Sequence, residues 1–167
     1  MAEAYLGLGA NLGQPLTQLQ QAVDALGRHP GVRVLAVSSV YRSLPWGDRQ
    51  QAPYLNAVAR VNTTLEPLSL LESCQHIECQ LGRVRDPDRP WGPRRIDLDV
   101  LLYDDHTLNS PRLQLPHPWI CQRAFVLQPL LELWPEARLP DGTELAAALN
   151  ELEDRCRPVA AMKLPRS

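Results

Sequence analysis

Two aspartates, Asp97 and Asp99, stand two residues apart in the run IDLDVLLY, residues 96–103. Successive side chains of a strand point to opposite faces, so these two carboxylates emerge together, with Cα atoms about 7 Å apart. Oxygens at that spacing converge on one divalent cation, or on two lying about 4 Å from each other. Neighbouring carboxylates without a cation repel, and one of them tends to stay protonated. Hard oxygen donors favour magnesium over zinc. The plainer alternative is a solvated edge-strand face, with the aspartates paired to Arg94 and Arg95.

What precedes the pair favours chemistry. RVRDPDRPWGPR, residues 83–94, carries Arg83, Arg85, Arg89 and Arg94, and three prolines and a glycine forbid a helix there. Arginines grip phosphate oxygens in a planar, two-pronged way. An acidic pair beside an arginine loop is the combination that magnesium–phosphate chemistry requires. Further along, LPHPW places His117 between prolines, with Arg112 and Arg123 to either side. A lone histidine is usually structural, but this one could help to hold a triphosphate.

Tyr54 and Asn56 share one face of YLNAVARVN, residues 54–62. An exposed tyrosine with an amide two residues on could stack against a heterocycle and hydrogen-bond its edge; ordinary strand surface is the bland reading. Phe125 is the only phenylalanine and by default belongs to the core. The stretch GLGANLG, residues 7–13, departs from GxGxxG spacing, and Ser38 and Ser39 stand where a dinucleotide fold carries an acidic residue. No lysine completes a Walker loop. A tight strand-to-helix turn is the better account of these glycines.

The positioning elements follow from periodicity. Residues 4–9 read as a strand, and a helix begins at Pro15 with Leu16, Leu19, Val23 and Leu26 on one face. Residues 32–41 and 54–62 are strands. A second helix runs from about Pro67 to Gly82, with Leu70, Cys74, Ile77 and Leu81 as its stripe, and residues 96–103 form the fourth strand. The order strand, helix, strand, strand, helix, strand fits an α+β two-layer sandwich with an antiparallel sheet and both helices on one face. Helices near residues 123–133 and 142–149 extend it at the C-terminal side. Residues 150–167 read as a weakly ordered tail of the same single domain, which covers 1–167.

Composition narrows the function classes. A length of 167 residues suits one domain, and 44% hydrophobic residues supply a core without metals or disulfides. The net charge of −2 gives no global attraction for nucleic acid or acidic membranes. Cys74, Cys79, Cys121 and Cys156 show no metal-binding spacing and read as reduced thiols. Without a leader or a bilayer-length apolar run, the expected location is cytoplasmic; the default assembly is a monomer.

The run WGPRRIDLDVLLY, with YLGLGANLG, VSSVYRS, PYLNAV, IECQLGRVR, PRLQLPHP and RAFVLQPL in order around it, resembles the 6-hydroxymethyl-7,8-dihydropterin pyrophosphokinase family of folate biosynthesis. The resemblance spans nearly the whole chain. It implies a ferredoxin-like fold and transfer of pyrophosphate from ATP to a pterin hydroxymethyl group, releasing AMP. Asp97 and Asp99 would hold two magnesium ions. Tyr54 and Phe125 would sandwich the pterin, and Asn56 with Ser43, Leu44 and Trp46 would read its polar edge. Arg83 and Arg94 would act with Asp97 in catalysis. Gln75, Glu78, Arg85, Trp91, Arg112, His117 and Arg123 would contact ATP. The loops at residues 43–53 and 83–93 are expected to close over the ligands. The alternative is an inactive ferredoxin-like module binding a nucleotide or RNA.

Overall fold

The computed structural model describes residues 1–43, 52–82, 88 and 96–165. Among them, β1 (Ala2–Ala10), α1 (Pro15–Arg28), β2 (Val32–Val37), β3 (Ser39–Ser43), β4 (Tyr54–Thr63), α2 (Pro67–Gln80) and β5 (Asp97–Tyr103) follow one another as the periodicity predicts. With β8 (Arg157–Ala161) from the C-terminal segment, the sheet order is β5-β1-β4-β3-β8, with β2 pairing β4 beside β3, and every pairing is antiparallel. This is the ferredoxin-like arrangement.

Proline opens both helices, where its missing N–H has no intrahelical partner to lose. Gly82 follows the end of α2 at φ 89°, a conformation that a side chain would disfavour. Both helices lie on one face of the sheet. Leu19, Val23 and Leu26 of α1 and Leu70, Cys74 and Ile77 of α2 share a core with Leu6, Leu8, Val61 and Val100. Each fully buried leucine contributes about 1.5–3 kcal/mol there. Leu16 is a correction: it stays 44% exposed, while Gln18 is buried instead. The Gln18 amide accepts from the Gln14 N–H and donates to the Leu12 carbonyl, satisfying the helix entrance.

One expected strand is two. Residues 32–41 break at Ser38, whose hydroxyl accepts from the Val58 N–H at 2.9 Å and donates to the Ser39 carbonyl at 2.8 Å. A side chain thus takes over backbone pairing at the bend, and β2 and β3 engage separate parts of β4.

The opposite face is covered too. α3 (Ala124–Leu133) and α4 (Leu145–Asn150) pack Val126, Leu127, Leu130 and Leu145 against Tyr5, Val58, Leu101 and Leu102. The C-terminal extension therefore forms a partial third layer, and β4 is buried on both faces. A small hairpin, β6 (Leu108–Asn109) and β7 (Gln114–Leu115), connects β5 to this layer.

The C-terminal segment is not a loose tail. β8 (Arg157–Ala161) pairs with β3 at the sheet edge. On one side of it, the Gln128 amide of α3 exchanges hydrogen bonds with the backbone of Cys156. On the other, the Gln20 amide of α1 does the same with Lys163, at 2.9 and 3.0 Å. The segment straps the two helical layers together around the edge. All four cysteines are unpaired with one another, and burial pushes the Cys74 thiol up to about 12.

Candidate active site

β1 and β5 supply the floor. Gly7 pairs with Asp99, and Gly9 with Asp97, so each carboxylate stands beside a residue with no side chain. Gly7 and Gly9 are strand residues rather than turn residues; of GLGANLG, only Gly13 takes a positive φ, at 76°. Their role is clearance. A Cβ on Gly9 would come 3.0 Å from the Asn56 Oδ1.

Above this floor lies a cavity of about 240 Å³, lined by Ser43, Tyr54, Asn56, Asp97, Asp99, His117, Trp119, Arg123 and Phe125 with the backbone around Gly7 to Gly9. Its size is near the lower end of small-molecule sites, roughly 300–1,000 Å³. Asn56 is 5% exposed, not the surface residue that strand alternation suggested. The third layer closes over that face, and the Asn56 amide donates to the Ser43 Oγ at 2.7 Å. Phe125, which residue type alone would assign to the core and the resemblance to the ring site, lines the cavity from the first turn of α3.

Asp97 and Asp99 are both half-buried on the cavity face, while Leu98 between them points into the helical core. The buried Glu78 of α2 accepts the Leu98 N–H at 2.7 Å. Glu78 is not among the residues that line the cavity. Gln75, half-buried on α2, and Arg112, ion-paired to Glu72 at 3.1 Å on the surface, do not line the cavity either. Arg83, Arg85, Trp91, Arg94, Leu44 and Trp46 lie outside the described residues.

His117 is the most strongly perturbed base of the site. Burial, and then the positive charge of Arg123, lower it to about 4, against the opposing pull of Asp97. It is neutral at physiological pH. Its Nδ1 accepts the Trp119 N–H at 3.2 Å, so the ring proton sits on Nε2, ready to donate. Its own N–H donates to the Leu101 carbonyl at 3.0 Å, tying the loop to β5. The Arg123 guanidinium lies 5.5 Å from the Phe125 ring centre and 6.0 Å from that of Trp119, within cation–π range. Trp119, 39% exposed, is a lining residue that the sequence reading missed. Its signal was an aromatic two residues beyond His117 in a proline-fixed loop.

The arrangement joins three capacities: aromatic and amide groups for a flat polar ring, a cation and an N–H donor for an anion, and two carboxylates for a metal. The donor set fits magnesium, which takes one or two carboxylates and completes its shell with phosphate and water. Among the described residues, no helix is long and apolar enough to cross a membrane.

The family model described as 7,8-dihydro-6-hydroxymethylpterin-pyrophosphokinase matches residues 5–135. The chain is 48% identical over 145 residues to a 2-amino-4-hydroxy-6-hydroxymethyldihydropteridine pyrophosphokinase of Pseudomonas aeruginosa, covering 87% of this chain and 88% of that protein. It is 47% identical over 153 residues to the protein of the same name from Methylorubrum extorquens, covering 92% and 95%. Among solved structures, it resembles wild-type HPPK-DHPS of Plasmodium falciparum with a TM-score of 0.69 at 15% identity. That match covers 90% of this chain and 44% of the other, so the chain spans less than half of that longer protein.

Proposed function

This chain belongs to the 7,8-dihydro-6-hydroxymethylpterin-pyrophosphokinase family, and on that premise we propose that it transfers pyrophosphate from ATP to the hydroxymethyl group of 6-hydroxymethyl-7,8-dihydropterin. The observation that carries the reading is a single cavity lined by the acidic pair together with Tyr54, Asn56 and Phe125. The metal-binding and ring-binding halves of such a reaction meet there.

In this reading, the pterin lies between Tyr54 and Phe125, and the Asn56 amide, oriented by Ser43, reads its polar edge. The hydroxymethyl oxygen attacks the β-phosphorus of ATP. The bond from that phosphorus to the α–β bridging oxygen breaks, AMP departs with the electron pair, and the hydroxyl proton is lost. Magnesium held by Asp97 and Asp99 supplies charge neutralisation along the phosphates. Arg123 and the Nε2–H of His117 address the anionic chain from the facing wall, and a neutral His117 donates without bringing a second cation beside the half-buried Arg123. Arg83 and Arg94 complete the charge stabilisation in this scheme, Arg85 and Trp91 serve ATP, and Gln75, Glu78 and Arg112, which do not line the cavity, meet the part of ATP that extends beyond it. Positioning and electrostatics do most of the work in phosphoryl transfer, so a rigid wall matters as much as any one charged group.

We read residues 1–167 as one domain acting as a monomer. We read its site of action as cytoplasmic, which its use of ATP suits. The test is direct: incubation with ATP, magnesium and the pterin alcohol should yield AMP and the pyrophosphorylated pterin in equal amounts. Release of ADP, or binding without turnover, sinks the proposal.

A further inference from the structure

The walls of the ring site belong to two elements that are far apart in sequence. Phe125 stands on α3, and Ser43, which orients Asn56, stands at the end of β3. Their spacing must be set by whatever fixes α3 to β3. The described contacts give an answer two helical turns beyond Phe125. One Glu132 carboxylate oxygen accepts the Ser39 N–H at 2.9 Å and the Ser39 hydroxyl at 3.3 Å. The other accepts the Tyr41 hydroxyl at 2.8 Å.

The geometry aligns with the site on both elements. Ser39, Tyr41 and Ser43 alternate along β3 and so share a face, while Val40 between them is buried in the opposite core. Tyr41 is the cross-strand partner of Asn56. On α3, Phe125 and Glu132 are seven residues apart, and that interval returns a helix to nearly the same face. Thus one helix face carries the ring-stacking residue at one end and the carboxylate at the other. One strand face carries both of its partners and the serine that orients Asn56.

We propose that Glu132 is a positioning residue for the heterocycle, its carboxylate fixing α3 against β3 and so setting the distance from Phe125 to the Ser43–Asn56 pair. Nothing in the reaction itself requires this group; it never touches the reacting atoms. The inference rests on the reading of this cavity as the pterin site. Glu132 is exposed, and charge-assisted hydrogen bonds in water are weak individually. Three bonds to one carboxylate from a single strand face give the contact its directional value.

The experiment compares Glu132→Ala, Glu132→Gln and Tyr41→Phe, with Asn56→Ala as the reference for the site. The expected result is a pterin KM raised about tenfold in Glu132→Ala and two- to threefold in Tyr41→Phe, with the ATP KM unchanged. Glu132→Gln keeps an acceptor for the Ser39 N–H and an amide for Tyr41, and should recover most of the loss. A parallel fall in affinity for both substrates, following the melting temperature, would mark Glu132 as merely structural and overturn the inference. So would an unchanged pterin KM in Glu132→Ala while Asn56→Ala raises it. If Asn56→Ala also leaves the pterin KM unchanged, the assignment of the cavity itself fails.

Discussion

Gly9 and Asn56 face each other across the β1–β4 pairing, and the Asn56 side-chain oxygen occupies the space where a Gly9 methyl would press. The glycine is what lets the amide lie over the sheet and reach Ser43.

Gly9→Ala should therefore disturb recognition more than folding. The contact at 3.0 Å forces a shift of a few tenths of an ångström in Asn56, at the expense of its bond to Ser43. Losing one such bond costs about 1 kcal/mol, equivalent to roughly a fivefold rise in pterin KM. Steady-state kinetics with each substrate varied in turn would show it. An unchanged pterin KM would mean that Asn56 does not read the ring.

Asp97→Asn and Asp99→Asn should each lower turnover by about a hundredfold or more, since metal stabilisation of developing charge is worth several kcal/mol. Neither side chain belongs to the aliphatic core, so the melting temperature should hold. Chelation with EDTA should abolish AMP formation, and magnesium should restore it. Turnover that survives chelation would remove the acidic pair from the mechanism.

His117 links the site to pH. Its folded-state value of about 4 lies below the ordinary 6.5, so the unfolded chain takes up the proton first as pH falls. Stability is unaffected above about 6.5 and declines on acidification towards 4, by about 2 kcal/mol at pH 5 for this group alone. Urea denaturation at pH 7 and pH 5 should show that decline in the wild type and a correspondingly smaller one in His117→Asn. Equal declines would place His117 in a more solvated setting.

Removing residues 156–165 should uncover the outer edge of β3 and sever both glutamine-to-backbone pairs. An unprotected strand edge invites pairing with another chain. The truncated protein should melt lower and run larger on size-exclusion chromatography in proportion to its concentration. A monomer of unchanged stability would show that the strap adds nothing.

The strand order and the shared face of Asp97 and Asp99 were legible because both depend on local periodicity, which needs no knowledge of partners. Three other features depend on distant residues and left no local trace. The bend at Ser38 is stabilised by Val58 on another strand, so VRVLAVSSVY reads as continuous. The pattern of β8 has an exposed, proline-containing face, and only β3 makes it a strand. Glu78 sits on the apolar side of α2 because the Leu98 N–H on the outer edge of β5 needs an acceptor, and no helical stripe announces that. Phe125 was placed at the site by the family resemblance alone, and the burial of Asn56 was not foreseen, since the covering layer comes from sequence more than sixty residues downstream of Asn56.

The carboxylates, rings and amide all gather on the α3 side, whereas α1 and α2 meet the other side through a continuous aliphatic core. The Leu98 N–H of β5 reaches across to the Glu78 carboxylate of α2 between the two aspartates. Stability can therefore be engineered with least effect on the site around Leu19 and Val23 of α1, away from the α2 residues that face β5. The sheet acts as a partition, crossed at the acidic pair by α2 and left unbroken beneath α1.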